Sequence, residues 1–125
     1  MRCYRSVDFD PPALRRRFHW DLATAPEVIA AHEGKLADLS TCVAVGRFSE
    51  LYDAAVAPRS AGLRRSLIHN DANDHNLLVE GDGEAARVTG LIDFGDMVHT
   101  ATVCEPAVAL AYLMMGRENP LTAAE

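Results

Sequence analysis

LIHNDANDHNLLV, residues 67 to 79, and VTGLIDFGDMVH, residues 88 to 99, decide how this chain folds. Leu77-Leu78-Val79 and Val88 to Ile92 are short apolar runs on either side of the polar, glycine-containing EGDGEAAR, the pattern of a β-hairpin. His69 to Asn76 is then the loop that enters the hairpin from Leu67-Ile68, and Asp93 to Asp96 is the loop that leaves it. Because the hairpin ties the two polar loops together at one end, Asp71, Asn76 and Asp93 can converge on one point. Convergent oxygens suit a hard cation such as Mg²⁺, which is commonly held by one or two carboxylates plus substrate phosphates. Phosphoryl transfer needs that metal and, separately, a carboxylate to take the proton of the attacking hydroxyl.

Outward from these motifs, punctuation sets the remaining elements. Thr24-Ala25-Pro26-Glu27 has the T-x-x-E spacing of a capping box with Pro near the first turn, which predicts a helix running toward His32 and ended by Gly34. Phe48, Leu51, Tyr52 and Ala55 form an i, i+3, i+4, i+7 stripe, expected to face the core of a second helix before Pro58 and Gly62 break it. Glu105-Pro106 opens AVALAYLMM, an apolar helix stopped at Gly116, in which Met114 and Met115 are read as packing. The fold class is therefore α+β, mainly helical, with a short hairpin carrying the catalytic and metal loops.

Composition narrows the partners. A chain of 125 residues with 49 % hydrophobic content suits one domain with its own core. Twelve Lys+Arg against eighteen Asp+Glu give a net charge of −6, the wrong sign for nucleic acid. Cys3, Cys42 and Cys104 are odd in number and widely spaced, so they indicate neither a disulfide framework nor a zinc knuckle, and a cytoplasmic location is expected. Arg15, Arg16 and Arg17 before Phe18 have the look of a twin-arginine signal. Such a signal leads into an apolar stretch, whereas here Asp21, Glu27 and His32 interrupt the next residues, so the triplet reads as a solvated face. No apolar run approaches the roughly twenty residues of a membrane span, and no membrane partner is expected.

The ordered pattern H-x-D-x-x-x-x-N, from His69 through Asp71 to Asn76, followed by Asp93-Phe94-Gly95-Asp96, resembles the aminoglycoside phosphotransferase/choline kinase superfamily. Within it, HNDANDHNLLV and VTGLIDFGDMVHT are most similar to the hydroxylysine kinases and to phosphotransferase domains fused to class III aminotransferases. The resemblance covers residues 18 to 120. It implies a protein-kinase-like large, C-terminal lobe and the transfer of a γ-phosphoryl from ATP or GTP, with Mg²⁺, to the hydroxyl of a small amino alcohol such as hydroxylysine. It also implies Asp71 as catalytic base, Asn76 and Asp93 as metal ligands, and His69 as a loop-positioning residue. Asp96 is expected to brace its loop by hydrogen bonds. Asp74 and His75 are candidate substrate-side contacts, His99 has no role assigned, and Asn70 stands where H-G-D carries Gly.

Each of these side chains has a plainer reading. Asp71 and Asn76 are ordinary turn formers and Asp93 an ordinary strand-end cap, but their spacing ahead of a D-F-G favours the site. For His69 the plain reading, a satisfied buried histidine, agrees with the functional one. A kinase also needs a strand lysine and a covering glycine-rich loop, and the only lysine is Lys35, beside Gly34 in a helical context. Residues 1–125 are accordingly expected to form a partial large-lobe domain, inactive alone, whose intact protein carries a small nucleotide-binding lobe or a fused aminotransferase domain. Two alternatives stand beside this one: a non-catalytic binding remnant, and a metal-dependent hydrolase using His69, Asp71, His75 and Asp93 as ligands.

Overall fold

The computed structural model describes residues 11–119, so Cys3 lies outside the described residues. In chain order the elements are helices α1 (Ala25–His32) and α2 (Leu39–Leu51), strands β1 (Arg65–Ile68), β2 (Leu77–Glu80), β3 (Arg87–Leu91) and β4 (Val98–Ala101), and helix α3 (Cys104–Met114). Strands β2 and β3 pair as the expected antiparallel hairpin, with Leu77 opposite Leu91 and a bulge between Leu78 and Val79. Gly81 leaves β2 at φ +83°, where a side chain would drive its Cβ to 2.7 Å from the Ala85 carbonyl oxygen.

A second ladder was not legible in the motifs. Strand β1 pairs antiparallel with β4, Leu67 opposite His99 and Ile68 opposite Val98, so the β2–β3 hairpin is nested in sequence between its two strands. Both connections between the ladders, residues 69–76 and 92–97, must therefore pass through one junction. This nesting is what positions the site.

The β1–β4 ladder also carries the core. Ile68, Val98, Ala101 and Cys104 are buried together, with Phe18 and Leu63 packed against them. Burying an Ile or Val side chain fully contributes roughly 1.5–3 kcal/mol. The Cys104 thiol is pushed above its usual range by burial and by the Asp21 charge, as expected of an unreactive packing cysteine. Asp21 ties the segment before α1 to this core, because its buried Oδ1 accepts from Thr100 Oγ1 at 2.8 Å and from the Ala23 amide at 3.0 Å.

Three expectations change. Helix α1 does start after Thr24, but the capping box does not form: Thr24 Oγ1 donates to the Phe18 and Asp21 carbonyls, and Glu27 pairs with Arg17. Helix α2 begins well before the apolar stripe, at Asp38, whose carboxylate accepts from the Thr41 amide at 2.8 Å and from the Ser40 and Thr41 hydroxyls. After Leu51 it continues as one wider turn, Tyr52–Val56. The stripe itself is not core, since Phe48 is 68 % and Leu51 52 % exposed, and Phe48 and Tyr52 instead line an open groove of about 370 Å³ against Pro26 and Ile29 of α1. Periodicity marks an apolar side without saying what covers it. Met115, 69 % exposed, departs from the packing reading for the same reason.

Candidate active site

The loop from His69 to Asn76 is held from three sides. Asn70 takes φ +68°, a left-handed conformation that Gly and Asn adopt most readily, which explains physically why Asn can stand where H-G-D has Gly. Its Nδ2 donates to the Trp20 carbonyl at 3.3 Å. The adjacent amides of His69 and Asn70 both donate to Glu105 Oε2, at 2.5 and 3.2 Å, so the first turn of α3 grips the loop backbone through one carboxylate.

His69 is buried, and both ring nitrogens are used. Nε2 donates to the Ile92 carbonyl at 2.8 Å, while Nδ1 accepts from the Asp71 amide at 3.3 Å, which fixes the neutral Nε2–H tautomer. Its ring also meets Phe94 edge-on, with centroids 5.0 Å apart. One histidine thus bridges the two loops at the junction of the ladders, and no ring nitrogen is left for a metal.

Asp71 lies at the centre of a network of neutral donors. Its Oδ1 accepts from Asn73 Nδ2 at 3.0 Å and from the Tyr112 hydroxyl at 3.2 Å, and its Oδ2 accepts from Asn76 Nδ2 at 2.8 Å. Asn73 shapes the turn as well: its Oδ1 accepts from the His75 and Asn76 amides, and its own amide donates to the Asp71 carbonyl. Asn76 Nδ2 donates to the Asp71 carbonyl too, so the amide nitrogen is committed to Asp71 and the carbonyl Oδ1 makes none of these bonds.

Asp93 stands on the neighbouring loop, one residue beyond Ile92, whose amide donates to the Asn76 carbonyl at 3.0 Å. It takes φ +60°, and its Oδ1 accepts from the Gly95 amide at 3.3 Å. Arg16, stacked over Phe18, donates to the Gly95 carbonyl at 2.9 Å, so one member of the arginine triplet touches this turn, although it is solvent-exposed as expected. The bonds that close the turn come from Asp93, Arg16 and the Met97 amide, and the Asp96 carboxylate makes none of them.

The donor set suits a hard dication. An amide oxygen from Asn76 and a carboxylate from Asp93 are oxygen ligands of the kind Mg²⁺ takes when waters and phosphates complete its shell. No group of three or more His, Cys, Asp or Glu among the described residues forms a ready metal cage. Asp74 and His75 face solvent beside each other, 3.9 Å apart.

Glu105, Tyr112 and Arg16 were not picked out as site residues from the sequence. Glu105 registered as a helix start, Tyr112 sits within an apolar helical run, and Arg16 lies in a basic triplet read as surface. Their contacts with the site span 36, 41 and 79 positions, which no local pattern reports.

Known proteins are similar to this chain. Residues 4–124 match the model of the phosphotransferase enzyme family. The chain is 30 % identical to the hydroxylysine kinase of Mus musculus over 123 residues, covering 91 % of this chain and 32 % of that protein. It is 32 % identical to the hydroxylysine kinase of Danio rerio over 111 residues, covering 86 % of this chain and 30 % of that one. The chain therefore spans about a third of the length of these curated relatives. No solved structure matches it. Among the described residues, no helix is long and apolar enough to cross a membrane.

Proposed function

The chain belongs to the phosphotransferase enzyme family, and on that footing we propose that it is the catalytic-loop portion of the large lobe of a cytoplasmic small-molecule kinase. The acceptor is an alcohol, and hydroxylysine or a similar amino alcohol is the first candidate because two relatives carry that name. The phosphoryl donor is ATP or GTP. With a net charge of −6, nucleic acid is not a partner.

The observation that carries this reading is the state of the Asp71 carboxylate. An ionised carboxylate has about four acceptor positions. Asn73, Tyr112 and Asn76 fill three of them, leaving one on Oδ2 for the proton of an acceptor hydroxyl. Asp71 is the base, held by Asn76, and His69 keeps the loop in register with the D-F-G turn. Asn76 Oδ1 and the Asp93 carboxylate would hold Mg²⁺. When bound, the ion would neutralise charge on the donor phosphates, which together with positioning is most of what this chemistry requires.

Phosphate orientation is the part these residues do not supply. Lys35 closes a short turn after α1 rather than standing on a strand, so the α/β-phosphates need a lysine-bearing lobe, with a fused aminotransferase domain as a further candidate neighbour. The test is phosphoryl transfer to hydroxylysine by the chain joined to such a lobe, with the chain alone and Asp71→Asn beside it. Asp71→Asn is expected to lose roughly 10²–10⁴-fold in rate. Wild-type turnover in that variant refutes Asp71 as base, and turnover by the chain alone at the roughly 1–100 s⁻¹ of kinases refutes the partial-lobe assignment.

A further inference from the structure

We propose that Tyr112 is a positioning residue for the Asp71 carboxylate: its hydroxyl occupies Oδ1 and so leaves Oδ2 as the oxygen open to the acceptor. The proposal rests on the reading of Asp71 as base. Its geometry does not, because Tyr112 lies 41 positions away from Asp71 and meets it at 3.2 Å.

Helix α3 makes this contact part of a two-point clasp. Glu105 and Tyr112 are seven residues apart, about two helical turns, so they lie on nearly the same face. Glu105 takes the amides of His69 and Asn70, and Tyr112 takes the side chain of the next residue in the loop. A rigid helix thus fixes both the backbone before Asp71 and the rotation of its carboxylate. Were Tyr112 absent, Oδ1 would keep only Asn73, and the carboxylate could turn to offer either oxygen. Both remaining partners are amides that can move with such a turn, since Asn73 and Asn76 belong to the same short loop.

The phenol reports the contact. Its pKa is raised above the usual range, first by the hydrogen bond to Asp71 and then by the Asp71 charge, with Asp96 adding to it and Asn73 opposing it. Tyr112 is 41 % exposed and Asp71 only half-buried, so the carboxylate is not sealed from an acceptor molecule approaching Oδ2.

The experiment uses the 125-residue chain and needs no turnover. In ¹⁵N–¹H spectra, Tyr112→Phe should move or broaden the side-chain amide signals of Asn73 and Asn76 while leaving the Ile68 and Val98 amides of the core in place. In ultraviolet titration, a tyrosine titrating above the usual range should vanish in Tyr112→Phe and titrate lower in Asp71→Asn. Unmoved Asn73 and Asn76 signals overturn the positioning role, and a tyrosine titration insensitive to Asp71→Asn overturns the contact itself. Where transfer is measured in the lobe-bearing form, Tyr112→Phe should lower kcat roughly three- to tenfold, the worth of one hydrogen bond, with nucleotide KM unchanged. Activity surviving in Asp71→Asn would remove the base assignment while leaving the spectroscopic result standing, so the two failures are distinct.

Discussion

Removing the Glu105 carboxylate should loosen the loop from His69 to Asn76 more than any surface charge could account for. Its Oε2 accepts from the amides of His69 and Asn70, both in residues 5 % exposed, so truncation leaves two backbone donors without their partner. Hydrogen bonds to a charged group contribute roughly 1.5–3 kcal/mol each, and stranding a buried donor costs about 1–3 kcal/mol. Glu105 is itself partly exposed, so water can reach the vacated space, and we expect Glu105→Ala to cost about 3 kcal/mol in all. Glu105→Gln keeps an acceptor oxygen without the charge and should cost about 1 kcal/mol. The assay is urea unfolding followed by circular dichroism, with Glu50→Ala on an exposed position of α2 as the control. An Ala variant no less stable than Gln, or no less stable than the control, would refute the clasp. If the Ala variant does not fold, Gln still decides, through a melting temperature lowered by about 4 °C.

Three further outcomes rest on the same geometry. Asn70→Gly should stay within about 1 kcal/mol of wild type, because Gly adopts φ +68° freely, whereas β-branched Asn70→Val should cost about 2 kcal/mol or more in the same unfolding assay. The Asp38 carboxyl is held at about 2, below its usual 3.8, first by the Ser40 hydroxyl and then by the Thr41 hydroxyl and amide. A lowered value means the cap stabilises α2 fully above about 3.8 and loses that contribution as pH falls through about 2, so acid titration of helical dichroism should show a step there that Asp38→Asn abolishes. Asp93→Ala should weaken Mg²⁺-nucleotide binding more than binding of the amino alcohol in titration calorimetry, while equal losses would point to a folding defect.

The sequence by itself determined what depends on near neighbours. EGDGEAAR between two apolar runs fixed the hairpin, and Gly116, at φ +72°, marked the end of α3. The spacing of His69, Asp71 and Asn76 placed a polar loop that closes on itself through Asn73. Those features rest on turn chemistry and on alternation along a few residues, which a linear pattern records. Tertiary structure decided the rest. Val98–Ala101 became a strand because Arg65–Ile68 lay opposite to pair with it, a partnership across more than thirty positions that its half-polar composition does not announce. The Phe48 stripe was legible as apolar but not as exposed, since burial depends on what packs against a face. Glu105 and Tyr112 reached the loop only once α3 lay beside it. Which oxygen of Asp71 stays open is therefore a property of the packed helix rather than of the motif that names the residue.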